Sequence, residues 1–224
     1  KLYREERELT VILLVDVSGS QHFGTHKQFK DELVAEICAT LSISAIRNND
    51  KVGLICFSDQ IEAYIPPRKG SKHVLRVIRE LLAIEPIGTK TDIGCALEFL
   101  NKVQKKRAIV FLVSDLQDRN WQKQLQIANR RHDVVAVSTN DVSESKLPKT
   151  GLMRIEDPET GNTCVIDTSS KRVRRAWNQL ANESRIAIEQ TLRRSRVDQI
   201  KVGTGEPFTN SLRQFFKRRE ARRA

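Results

Sequence analysis

Runs of apolar residues, each broken by a polar segment, alternate along this chain with stretches of helical spacing. Val11 to Val15 is a continuous apolar run that passes into Asp16-Val17-Ser18-Gly19-Ser20, the pattern of a strand buried on both faces and opening into a polar loop. From about His26 to Arg47, Phe29, Leu33, Ile37, Leu41 and Ile46 recur at near-helical intervals and predict a long helix. Val52 to Phe57 predicts a second buried strand, and Ile61 to Ile65 a half-exposed one stopped by Pro66-Pro67. The turn between them is too short for a crossover helix, so the second of this pair runs antiparallel at an edge.

Ser71 is the expected N-cap of a helix reaching about Ala83, with Val74, Leu75, Ile78, Leu81 and Leu82 facing inward. After the loop from Glu85 to Asp92, helices are expected over Ile93 to Gln104 and Leu116 to Arg131, and buried strands over Ala108 to Val113 and Val134 to Val137. Segments flanking Asp157 to Asn162 read as a hairpin of Leu152 to Glu156 and Thr163 to Asp167. A long helix from about Ser170 to Ser195 carries Val173, Trp177, Leu180, Ile188 and Leu192 among many arginines. A short strand at Gln199 to Val202 and a helix from Asn210 to Arg219 complete the chain.

Alternation of this kind predicts the α/β class. The expected architecture is a doubly wound, mostly parallel sheet with helices on both faces, an antiparallel edge strand and an inserted hairpin at about 151–168. The chain reads as a single domain over 1–224, its last 55 residues or so, from about 170, forming basic helices. It begins without Met and almost at its first strand, so it is expected to be a fragment of a longer protein.

Composition adds little to the fold and more to the partners. The 224 residues are 39% hydrophobic and 30% charged, an ordinary globular balance, and carry a formal net charge of +11. Such a charge suits an anionic partner but does not choose among nucleic acid, an acidic protein and a membrane face. Cys38, Cys56, Cys95 and Cys164 are widely separated and in apolar stretches, which fits buried thiols of a reducing compartment and argues against zinc. No stretch is long and apolar enough to span a bilayer.

The candidate chemistry lies at the ends of predicted strands. Asp16, Ser18 and Ser20 follow the first strand, Thr91 precedes the helix at Ile93, and Asp115 follows Val113-Ser114. Loops after neighbouring strands meet at the switch point of a doubly wound sheet, and oxygen donors gathered there suit a hard divalent cation. The pattern Asp-x-Ser-x-Ser, then threonine, then aspartate resembles the metal-ion-dependent adhesion site of von Willebrand factor A domains at all five positions. That resemblance covers roughly Glu8 to Thr139. It implies a von Willebrand factor A or Rossmann-like fold, Mg²⁺ (with Mn²⁺ or Ca²⁺ as alternatives) as cofactor, and a protein partner that supplies a carboxylate. No catalytic residue is implied.

Almost the whole chain is also similar to the bacterial conserved-hypothetical family called domain of unknown function fifty-eight. The likeness rests on Tyr3 to Thr10, Phe23-Gly24-Thr25, Asp50 to Leu54, Pro66 to Gly70 and Ile155 to Gly161. Gln21 departs from the methionine frequent in that family. The resemblance implies a further amino-terminal segment, a cytoplasmic location and work beside a MoxR-type AAA+ ATPase or its client.

Other readings are weaker. A metal-dependent phosphoester hydrolase needs a base, and His22, His26, His73 and His132 show no catalytic spacing and read as ordinary exposed residues. Asp92 and Asp118 read as helix caps, Asp118 at the start of the helix after Asp115, and Asp59 as a turn residue. Gly203-Thr204-Gly205-Glu206 lacks the lysine of a phosphate-binding loop. Nucleic-acid binding would use Lys171, Arg172, Arg174, Arg175, Arg185, Arg193, Arg194 and Arg196 with the tail Lys217, Arg218, Arg219, Arg222 and Arg223. Aromatic residues for stacking are scarce there, so a solvated basic face or an acidic partner is the preferred reading.

Overall fold

The structure is a computed structural model that describes residues 8–22, 24–25, 28–141, 144, 146–157, 161–205 and 207–223. Side chains of 21–29 and 222–223 fall outside the description, and with them those of His22 and His26. Most of the amino-terminal run from Tyr3, together with Phe23 and the hairpin tip at 158–160, also lies outside the described residues.

A six-stranded sheet in the order β10-β7-β6-β1-β4-β5 forms the centre. Its strands are β1 (Thr10–Asp16), β4 (Lys51–Phe57), β5 (Ile61–Arg68), β6 (Ile109–Ser114), β7 (Asp133–Asn140) and β10 (Asp198–Gly203). A two-stranded ribbon of β2 (Gly24–Thr25) and β3 (Gln28–Phe29) lies between β1 and α1 (Lys30–Arg47) in the chain. Within the central sheet every ladder is parallel except β4 with β5, which is antiparallel as expected of the edge strand.

Alternation within β1 sorts the core into two layers, because successive side chains of a strand point to opposite faces. Val11, Leu13 and Val15 pack on one side with α1 and α2 (Ser71–Ala83). Ile12 and Leu14 pack on the other with α3 (Ile93–Val103) and α4 (Gln122–Arg131). Leu192 of α5 (Lys171–Arg194) joins the second layer, whereas Leu212 and Phe215 of α6 (Phe208–Arg223) join the first. Successive connections leave β1 toward β4 and return toward β6, so the switch point lies at the carboxyl ends of β1 and β6.

Several boundaries differ from the reading of the sequence. Helix α4 begins at Gln122 rather than Leu116, because Leu116 has a left-handed backbone (φ 63), as does Asn120 (φ 66). Helix α1 begins at Lys30. Strand β5 continues through Pro66-Pro67 to Arg68. The ladder slips in register between Val52 and Leu54, and Gly53 opposes the prolines there: a Cβ on it would lie 3.1 Å from Pro67 N and 3.1 Å from Ile65 O. An edge strand tolerates proline where the ladder is interrupted. Gly70 (φ 98), not Ser71, caps α2, and no side chain bonds to that helix start. Within α2, Leu75 and Leu82 are exposed.

Among the described residues, the hairpin of β8 (Leu152–Glu156) and β9 (Thr163–Asp167) pairs only with itself. Leu152 is 78% exposed and Val165 66% exposed. Its root is held by buried Thr168, whose hydroxyl donates to the Gly151 carbonyl at 2.7 Å and accepts from Thr150 N–H at 3.1 Å. Cys38 and Cys56 are buried thiols with pKa values pushed up by burial, but Cys95 is half-buried and Cys164 exposed on the hairpin. In α5 only Leu192 is fully buried, and Leu180 is 65% exposed.

Candidate functional site

Three loops meet at the carboxyl ends of β1 and β6. In the first, Asp16 is buried and its Oδ1 accepts the Ser18 backbone N–H at 3.0 Å, which closes the turn after β1. The Ser18 and Ser20 hydroxyls lie 3.1 Å apart. From the second loop Thr91 donates its hydroxyl to Ser18 Oγ at 2.8 Å, and Gly19 N–H donates to the Thr89 carbonyl at 3.2 Å. Thr91, rather than Thr89, therefore brings its hydroxyl to the first loop.

The third loop adds Ser114, which donates to Asp16 Oδ2 at 2.6 Å, and Asp115, whose Oδ1 accepts Gln117 N–H at 3.1 Å. Leu116 N–H returns to Ser114 Oγ at 2.9 Å, so the left-handed residue is locked beside the two polar side chains. All five residues singled out in the sequence thus stand in one region of the molecule.

The second loop is held from β5. Glu62 accepts from Gly88 N–H at 2.8 Å, Ile87 N–H at 3.1 Å and the Ser58 hydroxyl at 2.5 Å. Burial works against the Glu62 charge, but these donors, with Gln60, outweigh it and hold its pKa below the usual range. Gly88 crosses so close to the β4–β5 turn that a Cβ would fall 1.9 Å from Asp59 Oδ1 and 2.2 Å from Ser58 Oγ. Asp92 caps α3 as expected by accepting Cys95 N–H at 2.8 Å. Asp118 starts no helix of its own; its Oδ2 accepts Ile93 N–H at 2.8 Å and caps the same helix from the third loop.

Lys30 is the site residue that the sequence did not reveal. Its ammonium donates to Asp115 Oδ2 at 3.1 Å and the Ser20 carbonyl at 3.5 Å, and pairs with Glu144. A lysine at a helix start ordinarily lies in solvent, and no local spacing announces its contact with an aspartate 85 residues away. Burial opposes its charge, but the Asp115 and Glu144 carboxylates outweigh burial and hold its pKa above the ordinary lysine value.

The donor set is all oxygen, two carboxylates and three hydroxyls, which is the chemistry of a hard divalent cation. Burial foremost, and then the charge of Asp115, pushes the Asp16 pKa up to about 6. A cation between those two acids would relieve this repulsion, so the residues fit one. Among the described residues no three His, Cys, Asp or Glu side chains gather as a metal cluster. The hydroxyls must therefore supply part of any coordination. Beside Asp115 a groove of about 670 Å³ runs along α5, lined by Glu144, Trp177, Leu180, Arg185 and Lys201.

The model of the family described as Protein of unknown function DUF58 matches residues 1–187. The chain belongs to that family. This DUF58 chain is 27% identical over 159 residues to the uncharacterized protein Rv1480 of Mycobacterium tuberculosis, covering 70% of the chain and 50% of that protein. It is 25% identical over 158 residues to the uncharacterized protein MAV169 of Mycobacterium avium, covering 69% of the chain and 93% of that protein. The chain spans about half the length of the first of these relatives.

Among solved structures, the conserved hypothetical protein BatB from Bacteroides thetaiotaomicron superposes with a TM-score of 0.61 at 15% identity, covering 96% of the DUF58 chain and 100% of its own. An aerotolerance-related membrane protein from Bacteroides fragilis gives 0.57 at 16% identity, covering 88% and 92%. These likenesses establish the fold, which is of the von Willebrand factor A type. No helix among the described residues of the DUF58 chain is long and apolar enough to cross a membrane.

Proposed function

We propose that the chain, as one domain over 1–224, is a protein-interaction module whose three loops hold Mg²⁺, with Mn²⁺ or Ca²⁺ as substitutes. Asp16, Ser18 and Ser20 form the floor of the site, Thr91 closes it from the second loop, and Asp115 binds directly or through water. These residues would hold the ion so that, when bound, it would supply an electrophilic position for an external carboxylate. The chain's own part is to present few carboxylates, so that the ion keeps affinity for an acid from a partner protein. The observation that carries this reading is the linkage of all three loops through hydroxyls, Thr91 of the second to Ser18 of the first at 2.8 Å and Ser114 of the third to Asp16 of the first at 2.6 Å.

The role is binding rather than catalysis. Hydrolysis needs a base beside the attacking water. His73 bonds to the Val52 carbonyl at 2.9 Å and His132 precedes β7, so both stand at the amino-terminal ends of strands, away from the three loops. The groove along α5 offers a partner segment apolar contact at Leu180 and positive charge at Arg185. On the family resemblance the partner is a MoxR-type AAA+ ATPase or its client, in the cytoplasm.

Isothermal calorimetry with Mg²⁺ on the intact chain and on Asp16→Ala tests the site. The variant is expected to lose affinity by roughly tenfold or more, since it loses the buried carboxylate; equal affinity would sink the reading. Binding of a purified MoxR-type ATPase, lost on adding chelator, tests the partner.

A further inference from the structure

Lys30 opens α1, yet only 1% of it is exposed. Burying an ammonium is unfavourable unless its protons are taken up and its charge is matched. Here three acceptors meet its three donors: Asp115 Oδ2, the Ser20 carbonyl and Glu144. Ser20 belongs to the first loop and Asp115 to the third, so the ammonium sits on the seam between them. Asp16, Asp115 and Glu144 bring three negative charges to this region, and Lys30 brings one positive charge.

We propose that Lys30 is the site's internal cation: it holds Asp115 in place without a bound ion and sets how tightly a divalent ion is taken up. The proposal rests on the reading that the three loops hold such an ion. Lys30 is a positioning residue, acting through Asp115 and through its charge. Its ammonium repels an incoming cation while the three carboxylates attract it. Removing the ammonium leaves the cluster one charge more negative, and removing the Glu144 charge does the reverse.

Calorimetry with Mg²⁺ alone, together with thermal melts with and without Mg²⁺, on the intact chain, Lys30→Met, Lys30→Arg and Glu144→Gln tests this. Lys30→Met keeps the length of the stem and is expected to bind Mg²⁺ about tenfold tighter or more, and Glu144→Gln several-fold more weakly. Lys30→Arg keeps the charge and is expected to stay near the wild-type affinity. Lys30→Met is also expected to gain more Tm from Mg²⁺ than wild type, because its carboxylates then depend on the added ion.

Opposite signs in the Met and Gln variants are the signature of charge, since damage to folding would weaken both. A folded Lys30→Met that binds Mg²⁺ no more tightly than wild type overturns the proposal. Should Lys30→Met fail to fold even with Mg²⁺, Glu144→Gln decides: weaker Mg²⁺ binding with a metal-free Tm equal to that of wild type supports the internal cation, and any other result overturns it. Equal binding by wild type and Asp16→Ala would remove the metal site itself and this proposal with it. A difference there, with Lys30→Met indistinguishable from wild type, removes this proposal alone.

Discussion

His132 is 1% exposed, and among the described residues neither ring nitrogen has a hydrogen-bond partner, which corrects the expectation of an exposed histidine. It ends α4 just before the apolar run of β7, where burial, followed by the Arg131 and Arg107 charges, holds its pKa below the ordinary 6.5. The folded chain therefore keeps the ring neutral at pH values where the unfolded chain protonates it. Below about pH 6.5 the unfolded chain binds the extra proton, so stability falls as pH drops, by at most about 1.4 kcal/mol per pH unit. Urea midpoints followed downward from neutral pH should show that loss in wild type and a shallower one in His132→Phe; parallel slopes would contradict it. At Gly88 the constraint is steric. Gly88→Ala must push aside Ser58 and Asp59 and is expected to cost about 1–3 kcal/mol in urea unfolding. An unchanged midpoint would show that the loop yields freely.

Among the elements, the hairpin and α3 make opposite cases. β8 and β9 add no strand to the central sheet, and Leu152 and Val165 face solvent. Leu152→Ser and Val165→Ser are therefore expected to change stability by less than about 0.5 kcal/mol, whereas Thr168→Val, which leaves Thr150 N–H without its acceptor, should cost about 1–3 kcal/mol. Equal effects at the exposed strand positions and at buried Thr168 would refute this division. Helix α3 is capped twice, by Asp92 at Cys95 N–H and by Asp118 at Ile93 N–H. The sequence showed both acids as caps but assigned Asp118 to the helix after Asp115, whereas it caps the helix at Ile93. It lies 25 residues from Ile93 and meets it only when the second and third loops converge.

Across the whole molecule the two ends of the sheet have different tasks. At the end away from the three loops, Arg219 of α6 donates to both Asp133 oxygens at 2.6 and 2.8 Å and to Asp198 at 2.9 Å, and its guanidinium lies 5.1 Å from the Phe215 ring centre. This joins the last helix to the first residues of β7 and β10. Arg219→Met is expected to lower the urea midpoint by the equivalent of about 1–3 kcal/mol while leaving Mg²⁺ affinity unchanged. The two regions are separated by most of a strand, roughly 20 Å. A fall in both would show that the sheet couples its ends.

By itself the sequence determined the α/β class, the antiparallel edge and the five candidate oxygen donors, because hydrophobic period and strand-end chemistry are local properties. It did not determine how the third loop runs. Asp115 to Trp121 has helical composition, yet Leu116 takes a left-handed backbone beside Ser114 and buries its side chain against the sheet. Nor did it disclose Lys30. Only the tertiary structure decided that a lysine at a helix start, an aspartate after β6 and the half-buried Glu144 would meet. Pairing of charges distant in the chain is a matter of where the loops meet, and a stem that can reach solvent or core looks the same in sequence either way.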